Sequence, residues 1–276
     1  MKFPLLKFVF VLVLCTSAAA QSTTGPNRQP ASDVSAIALP DAPLPQTVDP
    51  VPSDKGNDPT LRNTPIHILN DQAAIWTSPA RVRERDLVIL LPLGLATAAA
   101  ITTDQRAMTS VVSHDALFIH RNVQVSDFLT GGLIGAPVTL MGIGHFHANP
   151  HAMESGILSG EALIDGVVVE QGMKLMFWRE RPSQDQAKGK FFQQSAGIDS
   201  SFPSSHSLLA WSSASVLAHE YPSRWVQLSV YSMAAGVSLT RILGQQHFPS
   251  DVLVGSAAGW LIGRYVYHRH HKIRLE

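Results

Sequence analysis

Three short stretches of the chain combine fixed cations with histidines, and these residues are the most suited to chemistry. The stretches are residues 174–182, 203–206 and 240–251; their cations are Lys174, Arg181 and Arg241, and their histidines are His206 and His247. Lysine and arginine form charge-assisted hydrogen bonds with phosphate oxygens. A helix N-terminus adds backbone N–H groups and a dipole that favours an anion. These residue types therefore predict a site for a tetrahedral oxyanion.

His247 and Asp251 lie four residues apart in the last of these stretches. Pro249 stands between them and excludes a continuous helix. Asp251 is therefore expected in the first turn of the next helix, where the dipole favours any carboxylate. The carboxylate could also accept a hydrogen bond from one ring nitrogen of His247 and leave the other nitrogen as a nucleophile. Both interpretations of Asp251 remain open at this point.

Lys174 and Arg181 lie seven residues apart. On a helix that continues to Pro182 they would fall two turns apart on nearly the same face. The two cations could then clamp one anion. Arg179, five residues after Lys174, would face away and is expected to be a solvated surface charge.

The residues Pro203, Ser204, Ser205 and His206 precede a helical stretch. Small residues at a helix start leave first-turn N–H groups accessible to an anion, although two serines there could equally be a simple N-cap. His206 beside a bound phosphate could protonate a leaving oxygen and later take a proton from water.

Apolar helical stretches must position these motifs, and strand-like alternation is scarce. The stretches are Leu87–Thr103, Ser126–Gly144, Met153–Trp178, Ser207–Tyr221, Trp225–Leu243 and Val252–Tyr267. They predict an all-α bundle of about six helices with the active site at helix ends. Two of the runs approach the length of a membrane span. We expect an envelope protein with membrane-associated helices, with a fully integral bundle as the alternative.

The N-terminal part of the chain is expected to contain a signal peptide followed by a tether. Residues 1–20 have the charged, apolar and small-residue order of a signal peptide, with an uncleaved anchor as the alternative. Residues 21–80 form a Pro/Ser-rich tether that includes a possible surface helix at Ile66–Trp76. Residues 81–276 form the helical domain. This order predicts an exported protein of the periplasm or cell envelope.

The composition narrows the classes of partner. The formal net charge is zero, which does not resemble a nucleic-acid-binding protein. The single cysteine, Cys15, lies in the predicted signal peptide, so the mature chain has no cysteine metal site. The C-terminal histidines His268, His270 and His271 are expected to belong to a solvated basic end that could touch anionic lipid. We expect no metal in the site and no cofactor.

In order along the chain, the three motifs resemble the signature of the type-2 phosphatidic-acid phosphatase and vanadium haloperoxidase superfamily. They are Lys174-x6-Arg181-Pro182, Pro203-Ser204-Ser205-His206 and Arg241-x5-His247-x3-Asp251. Two positions depart from the family pattern: Ser205 stands where glycine is usual, and Thr240 where serine is usual. Each position keeps a small residue or a hydroxyl, and every reacting group is present.

The resemblance implies that His247 attacks phosphorus, that Asp251 orients it, and that His206 acts as acid and then base. The phosphoryl oxygens would be held by Lys174, Arg181, Arg241, Ser204 and the backbone at Ser205. The expected activity is a metal-independent phosphatase acting on a lipid phosphate, an isoprenyl diphosphate or a small ester. A vanadate-dependent haloperoxidase and a non-catalytic lipid-binding envelope protein are the alternatives.

Overall fold

A computed structural model describes residues 59–271, and within them the chain is helical. The helices are α1 (Thr64–Thr77), α2 (Leu87–Arg106), α3 (Ala116–Phe146), α4 (Pro150–Phe177), α5 (Ser205–Glu220), α6 (Arg224–Leu243) and α7 (Pro249–His270). No strand occurs among the described residues, which confirms the predicted all-α class. The predicted signal peptide and most of the tether lie outside the described residues.

Each of the six predicted bundle helices is present as one of α2 to α7. The largest difference in bounds is at α3, which begins at Ala116 rather than Ser126. Asp115 caps this helix, because its side chain accepts the Phe118 N–H at 2.7 Å. The early turns of α3 contain polar residues, so a search for apolar runs does not find them.

Helix α4 ends before Arg181. Its last residue is Phe177, and Trp178 adopts a left-handed conformation with φ 38° and ψ 56°. This turn stops the helix, so the prediction that Lys174 and Arg181 share a helix face was wrong. Lys174 lies in the last helical turn, and Arg181 lies in the loop that follows.

Glycines bring α7 into close contact with α5. A Cβ at Gly255 would lie 2.7 Å from the carbonyl oxygen of Ser204, and one at Gly259 would lie 2.1 Å from that of Leu208. A side chain at either position would therefore force the two helices apart. The close approach sets the N-terminus of α5, with His206, beside the N-terminus of α7, with Asp251.

The hydrophobic core lies between the later helices. Leu158, Leu208 and Ile262 form one buried cluster that joins α4, α5 and α7. A second cluster around Leu133 and Val237 joins α3 and α6 to α5. Helix α5 contributes to both clusters, so it lies at the centre of the bundle and its N-terminus is fixed from several sides.

Helices α2 and α3 present apolar side chains outward. The helical segments Glu84–Val111 and Ala116–Phe146 are long and apolar enough to cross a membrane by length and composition. In the most apolar window of the first segment no residue is buried, and 22% of the corresponding window of the second is buried. Exposed residues include Val88 at 76%, Leu95 at 64% and Phe128 at 81%.

Helix α1 includes the predicted surface helix Ile66–Trp76 and packs on the bundle. His67 and Asp71 on α1 are 1% and 0% exposed. The expectation of a solvated C-terminal end was wrong for His270, which is 2% exposed. Its Nε2 lies 2.7 Å from the Asp71 carboxylate, so packing against α1 buries it. His268, two residues earlier, is exposed.

Candidate active site

His247 lies in the turn between α6 and α7 and is 1% exposed. Its Nδ1 lies 2.8 Å from the carbonyl oxygen of Ser201. A carbonyl oxygen can only accept, so Nδ1 carries the proton and the lone pair of the ring is on Nε2. Burial lowers the pKa of His247 from its ordinary value, with Asp251 opposing and Arg181 and Arg241 adding to the shift. The ring is therefore a neutral imidazole at neutral pH.

Asp251 lies in the first turn of α7, as predicted, but its carboxylate is not hydrogen-bonded to His247. The distance from Oδ2 to Nδ1 is 3.8 Å, too long for a hydrogen bond. Oδ2 instead accepts the Ser201 hydroxyl at 2.5 Å and the Phe248 N–H at 2.9 Å. Asp251 thus fixes Ser201, whose carbonyl holds the ring.

Arg179 is buried, so the prediction of a solvated surface charge was wrong. Its side chain is 1% exposed, and Nη1 donates to Asp251 Oδ1. Nη2 donates to Asp104 Oδ2 at 2.7 Å. The guanidinium also lies over the rings of Phe191 and Phe248, 4.6 and 4.2 Å from their centroids. The helix ends at Phe177, which turns Arg179 inward toward these two carboxylates.

His206 and Arg241 meet at the carboxylate of Asp127. Asp127 Oδ1 lies 3.2 Å from His206 Nε2 and 3.2 Å from Arg241 Nη1. Arg241 is 6% exposed, and its Nε is a buried donor with no hydrogen-bond partner among the described residues. A buried donor of this kind suits an anion, because leaving it unpaired is costly.

The surroundings of His206 disfavour its charged form. Burial and the neighbouring charge of Arg241 lower the pKa of His206 to about 4, while Asp127 acts in the opposite direction. The imidazole is therefore neutral at neutral pH in this structure. Negative charge brought by a phosphoryl group would raise the pKa again.

Lys174 is held against the N-terminus of α5 by Glu170. The Lys174 Nζ lies 2.7 Å from Glu170 Oε1, and the same oxygen accepts the Ser205 hydroxyl at 2.5 Å. Both charged side chains are nearly buried, at 8% and 4% exposure. Glu170 therefore fixes a predicted cation and the residue that replaces glycine in the second motif.

Ser204 occupies the N-cap position of α5, but its hydroxyl caps no backbone N–H. The side chain is fully buried and accepts the Ser207 hydroxyl at 3.1 Å. The simple N-cap interpretation therefore fails for its side chain. Because the hydroxyl does not cap them, the first-turn N–H groups of α5 are candidates for binding an anion.

Arg181 reaches the site from the loop after α4. Its Nη2 donates to Asp199 Oδ1 at 2.7 Å, and its Nη1 donates to the carbonyl oxygen of Gln246 at 3.3 Å. Gln246 directly precedes His247, so this contact places the guanidinium beside the imidazole. The loop of residues 183–201 supplies Asp199 here and Gly189, whose carbonyl accepts from Arg179 Nε, so this loop packs on the site.

The structure brings the predicted site residues to one end of the bundle and adds residues that sequence reasoning missed. The missed residues are Asp104, Asp127, Glu170, Arg179 and Ser201. The sequence contains features that indicate some of these residues. Asp104 and Asp127 border apolar runs, where a charge needs a partner, and Glu170 lies four residues before Lys174. Ser201 acts through its backbone, which no residue type reveals.

These features define an all-α domain with a candidate oxyanion site at its helix ends, and comparison with known proteins shows which family it resembles. Residues 156–275 match the model of the PAP2 superfamily. The match covers less than half of the chain and confirms the resemblance predicted from the three motifs.

Three known proteins are similar to the chain. The lipid A 1-phosphatase of Porphyromonas gingivalis is 34% identical over 110 residues, which are 39% of this chain and 22% of that protein. The chain thus matches about a fifth of that relative's length. The crystal structure of Aquifex aeolicus LpxE covers 59% of this chain and 92% of its own at 20% identity, with a TM-score of 0.44. That of the PAP2-type phosphatidylglycerolphosphate phosphatase of Bacillus subtilis covers 78% and 98% at 18% identity, with a TM-score of 0.45.

Proposed function

We propose that the protein is a phosphoric ester hydrolase that removes phosphate from a membrane lipid through a phosphohistidine intermediate. The observation that carries the proposal is the tautomer of His247. The Ser201 carbonyl holds Nδ1 at 2.8 Å, so the lone pair of Nε2 is available to attack phosphorus. A buried neutral imidazole among cations is suited to nucleophilic catalysis.

In the first step, His247 Nε2 forms a bond to phosphorus while the bond from phosphorus to the leaving oxygen breaks. Protonated His206 donates its proton to that oxygen and becomes neutral. In the second step, neutral His206 takes a proton from water, and the resulting hydroxide attacks the phosphohistidine. Phosphate leaves, and His247 is regenerated. Atoms and protons balance over the two steps.

The cations stabilise the charge that develops on the phosphoryl oxygens. Arg241 has a buried Nε without a protein partner among the described residues, and Arg181 and Lys174 flank the same helix start. The backbone N–H groups at Ser205 and in the rest of the first turn of α5 extend this cradle. Ser204 supports the turn from its buried position, and Asp251 holds the carbonyl that orients His247.

A lipid substrate is supported by where the site lies along the apolar helices. Asp104 near the C-terminus of α2 accepts from Arg179 and from the Ser250 N–H at 3.1 Å. Asp127 in the first half of α3 contacts His206. The phosphoryl site therefore lies at one end of two outward-facing apolar helices, the level at which a lipid phosphate meets the bilayer surface. We place the protein in a membrane of the cell envelope on this basis.

The test is phosphate release by the detergent-solubilised full chain, beside His247→Ala and His247→Gln. Substrates are lipid A 1-phosphate, phosphatidic acid, an isoprenyl diphosphate and p-nitrophenyl phosphate, each with EDTA present. We expect release from at least one lipid, loss of about 10⁴-fold or more in both variants, and no effect of EDTA on the initial rate. Acid-quenched enzyme should carry labile phosphate on His247.

Equal turnover by wild type and His247→Ala would reject the mechanism. His219→Gln is a suitable control, since His219 lies at the other end of α5, where its Nδ1 lies 2.6 Å from the Ser215 carbonyl oxygen of its own helix and its ring packs on Tyr267. Bromide oxidation with added vanadate, without phosphate release, would identify the haloperoxidase alternative. A folded protein inactive in both assays would support the lipid-binding alternative.

A further inference from the structure

A second buried polar cluster lies far from the phosphoryl site. It joins α1, α4 and the C-terminal end of α7, and its members are His67, Asp71, Glu161, Asp165 and His270. Along α7, His270 is nineteen residues from Asp251, which corresponds to about 28 Å of helix. The proposed hydrolysis uses none of these residues, so the cluster needs an explanation of its own.

The cluster contains three buried carboxyl groups and no buried lysine or arginine among its members. Asp71, Glu161 and Asp165 are each 0–1% exposed. The arginine beside them, Arg269, has a half-exposed side chain whose Nε lies 3.6 Å from Asp71. Carboxylates buried without matching positive charge are costly. A bound cation would remove this cost.

His270 is arranged as a metal-binding histidine. Its Nε2 lies 2.7 Å from Asp71 Oδ2, so the carboxylate accepts the Nε2 proton and the lone pair lies on Nδ1. That Nδ1 is buried and has no hydrogen-bond partner among the described residues. A carboxylate that holds the far ring nitrogen is the usual support of a histidine ligand. Tyr265 donates to the same Asp71 at 3.1 Å and fixes it further.

Glu161 and His67 lie beside His270 as further potential ligands. Glu161 Oε2 is likewise buried without a partner among the described residues. Its Oε1 lies 3.0 Å from His67 Nδ1 and accepts the Thr64 hydroxyl at 2.8 Å. One potential ligand atom from each of His67, Glu161 and His270 lies within 4.8 Å of the others. Two imidazoles with one carboxylate form a ligand set that suits zinc.

We propose that His67, Glu161 and His270 bind one divalent transition-metal ion of the zinc type, which fastens α1 and the end of α7 to α4. The two imidazole rings are stacked, 4.1 Å apart and 14° from parallel. Because a lone pair lies in the plane of its ring, one ring must tilt for both to meet the same ion. His67 is carried by the peripheral helix α1, which can supply that movement.

The first experiment measures zinc on the full chain, purified in detergent without a polyhistidine tag and dialysed against metal-free buffer. We expect about one zinc per chain by elemental analysis. Zinc at about a hundredfold excess over its dissociation constant should raise the melting temperature of stripped protein by about 5–10 °C. Less than about one zinc per ten chains, together with a melting temperature that zinc does not change, would overturn the proposal.

Matched variants assign the ligands. His270→Ala and Glu161→Gln should weaken zinc binding about a hundredfold or more, whereas His268→Ala, at an exposed histidine two residues away, should bind normally. Titration with Co²⁺ reads the site directly, because its visible absorption reports nitrogen and carboxylate ligation even in a less stable variant. Equal cobalt spectra from wild type and His270→Ala would contradict the assignment. The assignment would also be contradicted if His271→Ala lost zinc while His270→Ala kept it. The ion would then lie at the neighbouring group of Glu154, Glu220 and His271.

Discussion

At the scale of single residues, Asp127 opposes the surroundings that keep His206 neutral. Burial and Arg241 lower the pKa of His206 to about 4, and the Asp127 carboxylate at 3.2 Å raises it. A negative charge next to an imidazole favours its protonated form. In the proposed mechanism the protonated form donates to the leaving oxygen, so Asp127 would support the proposed acid role of His206.

Asp127→Asn should therefore lower the pKa of His206 further. The alkaline limb of the kcat profile marks loss of the acid's proton, and we expect it to move to lower pH by about half a unit to one unit. The shift should be seen with substrates that have poor leaving groups. It should be smaller with p-nitrophenyl phosphate, whose leaving group needs less help from an acid. Asp115→Asn is the control, because it makes the same charge change at the N-cap of α3. A limb that stays in place in Asp127→Asn would contradict the assignment.

Glu170 connects the nonstandard Ser205 to Lys174, and this arrangement can be tested by a double-mutant cycle. Loss of a hydrogen bond to a charged group costs about 1.5–3 kcal/mol, so Glu170→Gln should lower kcat/KM by about 10- to 100-fold. Ser205→Gly removes the hydroxyl that Glu170 accepts. If the residues act together, Glu170→Gln will cost less in the Ser205→Gly background than in the wild type.

The remote carboxylate Glu154, sixteen residues earlier on the same helix, provides the comparison for this cycle. Glu154→Gln should leave kcat/KM within about twofold of wild type, because Glu154 lies about 24 Å from Glu170 along α4. Strictly additive effects of Glu170→Gln and Ser205→Gly would show that the two contacts of Glu170 work independently.

At the scale of helices and loops, Arg179 links three parts of the fold. It joins Asp104 on α2 to Asp251 on α7, and it holds the loop through the Gly189 carbonyl at 3.1 Å. Removing one partner of a buried ion pair leaves an uncompensated charge, which costs about 3–5 kcal/mol. Arg179→Gln should therefore lower the melting temperature by about 10 °C.

Thermal unfolding of the detergent-solubilised protein measures this difference. Lys188→Gln is the control, because Lys188 and Asp185 form a solvent-exposed pair 3.1 Å apart, of the kind that contributes little. We expect its melting temperature to remain within about 3 °C of wild type. An Arg179→Gln variant as stable as Lys188→Gln would show that the buried network does not hold the helices.

The helices could be predicted from the sequence because apolar periodicity and Pro or Gly boundaries are local signals. The same reasoning failed where the outcome depended on one backbone angle. It assumed a helix through Arg181, but Trp178 is left-handed, and this turn carries Arg179 into the interior. Likewise, Asp251 was placed in the correct turn from Pro249, whereas its distance from His247 depends on the position of Ser201, about fifty residues away in sequence.

At the scale of the whole molecule, the outward apolar faces of α2 and α3 bear on how the protein would meet the proposed lipid substrate. Water-facing helices with residues such as Val88 and Leu95 largely exposed would form an unusually large apolar patch. In a bilayer the same faces contact lipid tails. The phosphoryl site at the end of these helices would then receive a head group without extracting the lipid.

Leu95→Arg tests this arrangement, because Leu95 is 64% exposed near the middle of α2. An arginine at the centre of a span costs about 2.5–3.5 kcal/mol of insertion free energy, about a hundredfold in the insertion equilibrium. We expect a clear fall in the fraction of protein that resists carbonate extraction from membranes. Thr102→Arg, which adds the same charge to an exposed position near the helix end, should have a much smaller effect, since an arginine there reaches the interface.

If α2 faced water, the added charge would be equally harmless at both positions, and equal extraction of the two variants would place the helix outside the bilayer. Under the proposed function, the enzyme would then have to take its lipid from the membrane surface, and the alignment of the candidate site with the ends of α2 and α3 would serve packing alone.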